Sequence, residues 1–170
     1  MAARSWIIPL GVVGSTLMML GSFGAGATRN RGGVLDALGW SSLSYGHARG
    51  LMDVALTTGV FLLVAAWVLL GSERREKVVH TALWAWTAPL ILAAPLMSRD
   101  VYSYLMQGAM VRDGFDPYSE GAAVNPGPYL LEVSHDWRNT TTPYGPLHLW
   151  IGDGVTTLVG DHVTAGLIVY

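Results

Sequence analysis

The chain has 170 residues, 51% of them hydrophobic and 13% charged, against roughly 25% charged in an average soluble domain. A formal net charge of −2 and the lack of any cysteine leave no basic footprint for phosphate backbones and no thiolate, redox or disulfide framework. Together with the gathering of the apolar residues into long blocks, these figures exclude a soluble enzyme, a disordered chain and a nucleic-acid binder.

The first block, residues 6–27, contains no Asp, Glu, Lys or Arg, and about 20 apolar residues cross the hydrocarbon of a bilayer. It predicts a transmembrane helix in which Gly11, Gly14 and Gly21 let a neighbouring helix approach closely. Arg4, the apolar run and Ala25-Gly26-Ala27 also fit a signal peptide with a small-residue cleavage site, but the run exceeds the usual core of ~7–15 residues. Residues 54–71 and 78–97 are equally free of charge, which predicts further spans at about 51–71 and 78–97. Between them, Ser72-Glu73-Arg74-Arg75-Glu76-Lys77 is a short basic loop of the kind that marks the cytoplasmic side. That rule places the N-terminus, with Arg4, in the cytoplasm and residues 98–145 outside a plasma membrane. The fold class expected is an all-α integral membrane protein.

Residues 98–145 are of a different kind. They hold six of the twelve acids and the cations Arg99, Arg112 and Arg138. Loops this long are functional or disordered, and Tyr102, Tyr104, Phe115, Tyr118, Tyr129, Trp137 and Tyr144 argue against disorder. Residues 100–112 predict a juxtamembrane helix, with Ser98 as its cap and Asp100 in the first turn, where negative charge is favoured. An apolar stripe runs through Val101, Leu105 and Ala109 beside Tyr104, Gln107 and Val111. Gly114, Pro117, Gly121, Pro126, Gly127 and Pro128 then force turns. From Pro146, a first-turn proline, Leu147, Trp150, Ile151, Val155 and Leu158 recur at helical spacing. A helix over 146–160 is too short to span and is expected to lie at the membrane interface. Residues 161–170 begin another apolar run, so the chain is expected to be the N-terminal piece of a longer polytopic protein.

No soluble-enzyme motif is present. The five histidines lack the i, i+4 pairing of a zinc helix, and no phosphate-cradling glycine loop occurs. Asp113 and Asp116, spaced Asp-x-x-Asp, suit a turn better than a metal, and no cofactor or metal is assigned. The chemistry-bearing feature is Ser98-Arg99-Asp100, an acid beside an arginine where the third block ends. A helix-start acid with an interfacial anchor explains these residues equally well. A small membrane scaffold or partner subunit is the non-enzymatic alternative. A transporter is disfavoured, because no predicted span carries a mid-membrane charge.

Three motifs in this order carry a resemblance: Ser-Arg-Asp-Val-Tyr-Ser-Tyr (98–104), Arg-Asp-Gly-Phe-Asp-Pro-Tyr (112–118) and Pro-Tyr-Gly-Pro-Leu (143–147). They resemble the actinobacterial polyprenol-phosphomannose-dependent α-1,6-mannosyltransferases, membrane glycosyltransferases of the GT-C class. The resemblance implies a polytopic GT-C bundle and an inverting transfer of mannose from polyprenyl phosphate to the 6-hydroxyl of an α-mannan (lipomannan-type) acceptor on the outer face. It implies Asp100 as the base. Arg99, then Arg112 or Arg138, is expected to bind the donor phosphate, because guanidinium pairs with phosphate in a bidentate manner. Tyr102, Tyr104, Tyr118 and Tyr144 are expected to stack on or hydrogen-bond sugar, and an interfacial aromatic belt explains each of them equally well. Another polyprenyl-phosphate sugar, such as arabinofuranose, would suit the same fold.

Overall fold

A computed structural model describes residues 6–170, and Arg4, counted above for orientation, lies outside the described residues. Its helices are α1 (Ile7–Ala25), α2 (Val34–Ala37), α3 (Gly46–Leu70), α4 (Glu76–Ile91), α5 (Asp100–Arg112), α6 (Pro128–Glu132), α7 (Pro146–Val159) and α8 (Val163–Val169), with no strand among the described residues. They fall into two compact units. One holds the described residues up to Thr28 together with Val34–Met97, and the other holds Arg29–Gly33 and Ser98–Tyr170.

In the first unit α1 and α3 are long and apolar enough to cross a membrane. Their packing inverts the pattern of a soluble helix. The buried positions of α1 include Gly11, Gly14, Ser15, Gly21 and Ser22, whereas Leu51, Phe61 and Trp67 of α3 are exposed. Small residues let the two backbones approach closely, so main-chain atoms of α1 and α3 meet in direct van der Waals contact. A Cβ on Gly14 would stand 2.8 Å from the Leu63 nitrogen, and one on Gly59 would stand 2.6 Å from the Gly14 carbonyl oxygen. The Trp86 indole of α4 fills the notch at Gly11 and donates to the Ile8 carbonyl at 3.0 Å.

The third apolar block does not become one helix. α4 has 16 residues and stops at Ile91, whereas the block extends through Met97. Pro89 removes a backbone donor inside the last turn, and Pro95 biases Ala94 away from the helical region. The freed backbone finds partners in α1 and its exit. Ala94 N–H donates to Ser22 Oγ at 2.9 Å, and the Pro95 carbonyl accepts from Ala27 N–H at 2.7 Å.

The second unit is built around α5. Tyr102, Leu105, Met106, Ala109 and Met110 are each no more than 2% exposed and pack with Tyr129, Val133, Val155 and Val163. The buried positions thus cover more of α5 than the single stripe its sequence suggested, because α6, α7 and α8 all pack on it. α7 divides its apolar residues between two faces. Its buried face is Leu149, Gly152, Val155 and Thr156, whereas Leu147, Trp150 and Leu158 of the apolar stripe are exposed. Gly152 lies against Gly108, so α5 and α7 touch backbone to backbone. The intervening loop is tied to α5 by Thr142, whose hydroxyl donates to Gln107 Oε1 at 2.9 Å and whose N–H donates to the Pro117 carbonyl at 2.8 Å.

Candidate functional site

Asp100 is the first residue of α5, and its N–H donates to Ser98 Oγ at 3.1 Å. Ser98 therefore supplies the acceptor, while the helix boundary itself falls at Arg99. One turn along the same face of α5 stands Tyr104. Its ring meets Tyr144 edge-on at 5.1 Å and His148 edge-on at 4.7 Å, and Tyr170 lies 6.1 Å away. The two phenols are 3.4 Å apart, and Tyr170 Oη lies 3.0 Å from His148 Nδ1. The hydrogen bond to Tyr144 and then burial push the Tyr104 phenol up to about 12, and the Asp100 carboxylate adds to the shift. Tyr104 is therefore a neutral hydroxyl at pH 7, able to donate or accept toward a polyol.

His148, in the first turn of α7, completes this aromatic cluster. Burial lowers its pKa, and its Nε2 atom is buried with no hydrogen-bond partner. The sign of the linkage is definite. The unfolded chain takes up the proton first, so the stability contributed by neutral His148 is present above ~6.5 and is lost as pH falls through and below that value. Melting temperatures from pH 8 to pH 5 should fall further for the wild type than for His148→Gln. Parallel curves would show that His148 does not titrate differently on folding.

Each of the three cations has its own partners. Arg99 donates through Nη2 to the Glu132 carbonyl at 2.7 Å and to Glu132 Oε2 at 3.2 Å, with its Cζ 4.7 Å from the centre of the Tyr102 ring. Arg112 is clamped by Asp113 at 2.7 Å and Asp161 at 2.8 Å. It ends α5, about 18 Å along the axis from Asp100 at 1.5 Å per residue. Arg138 donates to the Val133 carbonyl at 3.2 and 3.3 Å. Of the three arginines expected at the donor phosphate, Arg99 and Arg138 thus hold the carbonyls of the adjacent residues Glu132 and Val133, while Arg112 stands at the other end of α5.

The tyrosines divide likewise. Tyr104 and Tyr144 share the cluster. Tyr102 is 1% exposed inside the core, where burial pushes its phenol up to about 12. Tyr118 sits on the turn that Asp116 caps, its N–H donating to Asp116 Oδ1 at 3.0 Å. Asp113 and Asp116 serve different partners, the former Arg112 and Asn125, the latter the backbone and hydroxyl of its own turn.

Sequence reasoning missed His148, Tyr170, Arg29 and Glu132. Only Glu132 carried a signal: an acid set in Leu130-Leu131-Glu132-Val133 is a charge among apolar neighbours, and buried charges demand partners.

The family described as "Alpha-(1->6)-mannopyranosyltransferase, N-terminal domain" matches residues 8–170. The chain belongs to that family. It is 62% identical over 167 residues to "Alpha-(1->6)-mannopyranosyltransferase A" of Corynebacterium glutamicum, covering 91% of this chain and 34% of that relative. It is 41% identical over 162 residues to the protein of the same name from Mycobacterium tuberculosis, covering 92% and 31%. With "Alpha-(1->6)-mannopyranosyltransferase B" of Corynebacterium glutamicum the identity is 30% over 184 residues, covering 98% and 30%. The chain thus spans about a third of the length of these family members. No solved structure matches it.

Proposed function

We propose that the full-length protein bearing this domain is an inverting α-1,6-mannosyltransferase of the GT-C class, acting at the outer face of the plasma membrane. Its donor is mannose β-linked to polyprenyl phosphate, and its acceptor is an α-mannan of lipomannan type. The observation that carries this reading is Asp100 heading α5, one turn from the Tyr104–Tyr144–His148 cluster, in a chain of this family.

In the reaction the acceptor 6-hydroxyl oxygen attacks the anomeric carbon while its proton passes to the Asp100 carboxylate. The bond from that carbon to the phosphate oxygen breaks, and its electron pair leaves with the polyprenyl phosphate. One displacement converts the β-linkage into an α-1,6 bond. The leaving group is already an anion, so a nearby guanidinium helps more than a general acid, and Arg99 is the cation adjacent to the base. Tyr104 and Tyr144 offer ring edges and neutral hydroxyls to the sugar. The apolar blocks bring the lipid-borne donor to the same surface as the acceptor, with residues 98–145 extracytoplasmic.

The test is donor choice. Full-length enzyme in lipid nanodiscs, given an α-1,6-mannan acceptor, should extend it from polyprenyl-phosphate mannose and not from polyprenyl-phosphate arabinofuranose. Anomeric carbon NMR of the product should show new α-1,6 linkages. Extension from the pentose donor alone would change the sugar, and no extension from either would favour a non-catalytic role.

A further inference from the structure

Glu132 is an acid with an unusual concentration of donors. Its side chain is 1% exposed. Its carboxylate accepts from Arg29 Nε at 3.3 Å, Arg99 Nη2 at 3.2 Å, Asn30 N–H at 2.5 Å and Arg31 N–H at 3.4 Å. Its own carbonyl takes Arg99 Nε at 3.2 Å and Nη2 at 2.7 Å. Arg29 is held at its other end, where Nη1 donates to Thr164 Oγ1 of α8 at 2.9 Å. One carboxylate therefore joins a segment far upstream in the chain, the end of α6 and the residue that precedes Asp100.

A buried carboxylate is costly unless its oxygens are filled, and here they are filled by groups that also fix Arg99 in two directions. The guanidinium is forked onto Glu132 and faces the buried ring of Tyr102 at 4.7 Å. The backbone of Arg99 starts α5, its carbonyl accepting from Tyr102 N–H at 3.0 Å. With side chain and main chain both anchored, the next residue has little freedom.

We propose that Glu132 is a positioning residue for Asp100: by fixing Arg99 it sets the first turn of α5 and the direction of the acid that opens it. This rests on the reading of Asp100 as the base. The requirement is for an acceptor-only group. A glutamine would turn an amide NH2 toward N–H groups that are all donors, whereas aspartate keeps the charge on a shorter stem.

The experiment uses the full-length enzyme in nanodiscs, with monodisperse protein quantified for each variant, and measures kcat and both KM values. Glu132→Gln should lower kcat per folded molecule by on the order of tenfold to a hundredfold, as expected when a reacting group is displaced by a fraction of an ångström. Both KM values should stay within about twofold, the pattern of a loss felt in the transition state alone. Glu132→Asp should recover part of the loss. Arg29→Gln, which removes one of the two guanidinium groups holding the Glu132 carboxylate and so loosens the fork on Arg99, serves where Glu132→Gln does not fold and should lower kcat several-fold in the same pattern. Wild-type kcat per folded molecule in the variants would reduce Glu132 to a structural brace and overturn the proposal. A raised donor KM with kcat unchanged would overturn it in favour of a direct part in donor binding. Asp100→Asn is assayed alongside. If that variant keeps wild-type turnover, the base reading fails first; if it is inactive while Glu132→Gln is normal, the positioning role alone fails.

Discussion

Asp100→Asn in the full-length enzyme should abolish mannosyl transfer while leaving the protein folded. Removing a positioned general base costs about 10²- to 10⁴-fold in rate, or ~3–5 kcal/mol of barrier at 1.36 kcal/mol per tenfold. The structural loss is far smaller. The Asp100 N–H keeps its bond to Ser98 Oγ, and what disappears is a first-turn charge worth ~0.3–1 kcal/mol at a helix start. The ratio of these two effects makes the variant diagnostic. Transfer should fall below detection while the melting temperature moves by a few degrees at most, read on the same preparation. Asp100→Glu should also be poor, because one added methylene shifts the carboxylate by ~1 Å, and misplacement on that scale costs about a hundredfold. Wild-type turnover in Asp100→Asn would remove Asp100 from the chemistry and leave it as a helix-start acid.

The site was legible where the chemistry is local in sequence. Ser98 and Asp100 are two residues apart, so a hydroxyl, a helix start and an acid are read from one short string. Tyr104 follows one turn later. What the string cannot hold is the return of the chain. His148 joins Tyr104 across 44 residues and Glu132 reaches Arg99 across 33, and no spacing rule predicts either pair. The same gap explains the arginines. All three look available in sequence, yet Glu132, the Asp113–Asp161 pair and the Val133 carbonyl are arranged around them by the fold.

Helix positions were legible through their punctuation. α7 begins at Pro146 and α5 at Asp100, each marked by residue types that suit a first turn. The packed face of α1 was legible as well: Gly11, Gly14 and Gly21, the positions suited to a close helix neighbour, are buried, while α1, α3 and α7 leave large apolar side chains exposed. The end of α4 was less so. Its charge-free length argues for one helix, but Pro89 and Pro95 break it, and Ser22 of α1 accepts one of the backbone donors released there.

The glycine contact between α5 and α7 leads to the second large effect. A Cβ on Gly108 would fall within the envelope of the Gly152 carbonyl and only 2.6 Å from the Gly152 Cα. These are main-chain atoms, so no rotamer change relieves the overlap. Overpacking of this kind costs ~1–3 kcal/mol or more, which exceeds the ~1 kcal/mol that alanine gains over glycine in a helix. Gly108→Ala should therefore lower the melting temperature, and Gly108→Val should lower it further, because valine adds two methyl groups to the same overlap. Gly154, also in α7, has nothing within 4 Å of its added Cβ. Gly154→Ala should melt at or above the wild type and serves as the matched control. The damage at Gly108 should also reach function. Pushing α7 off α5 carries Tyr144 and His148 away from Tyr104, so any Gly108→Ala enzyme that folds should lose turnover. If Gly108→Ala and Gly154→Ala melt alike, the close backbone approach is not what holds α5 against α7.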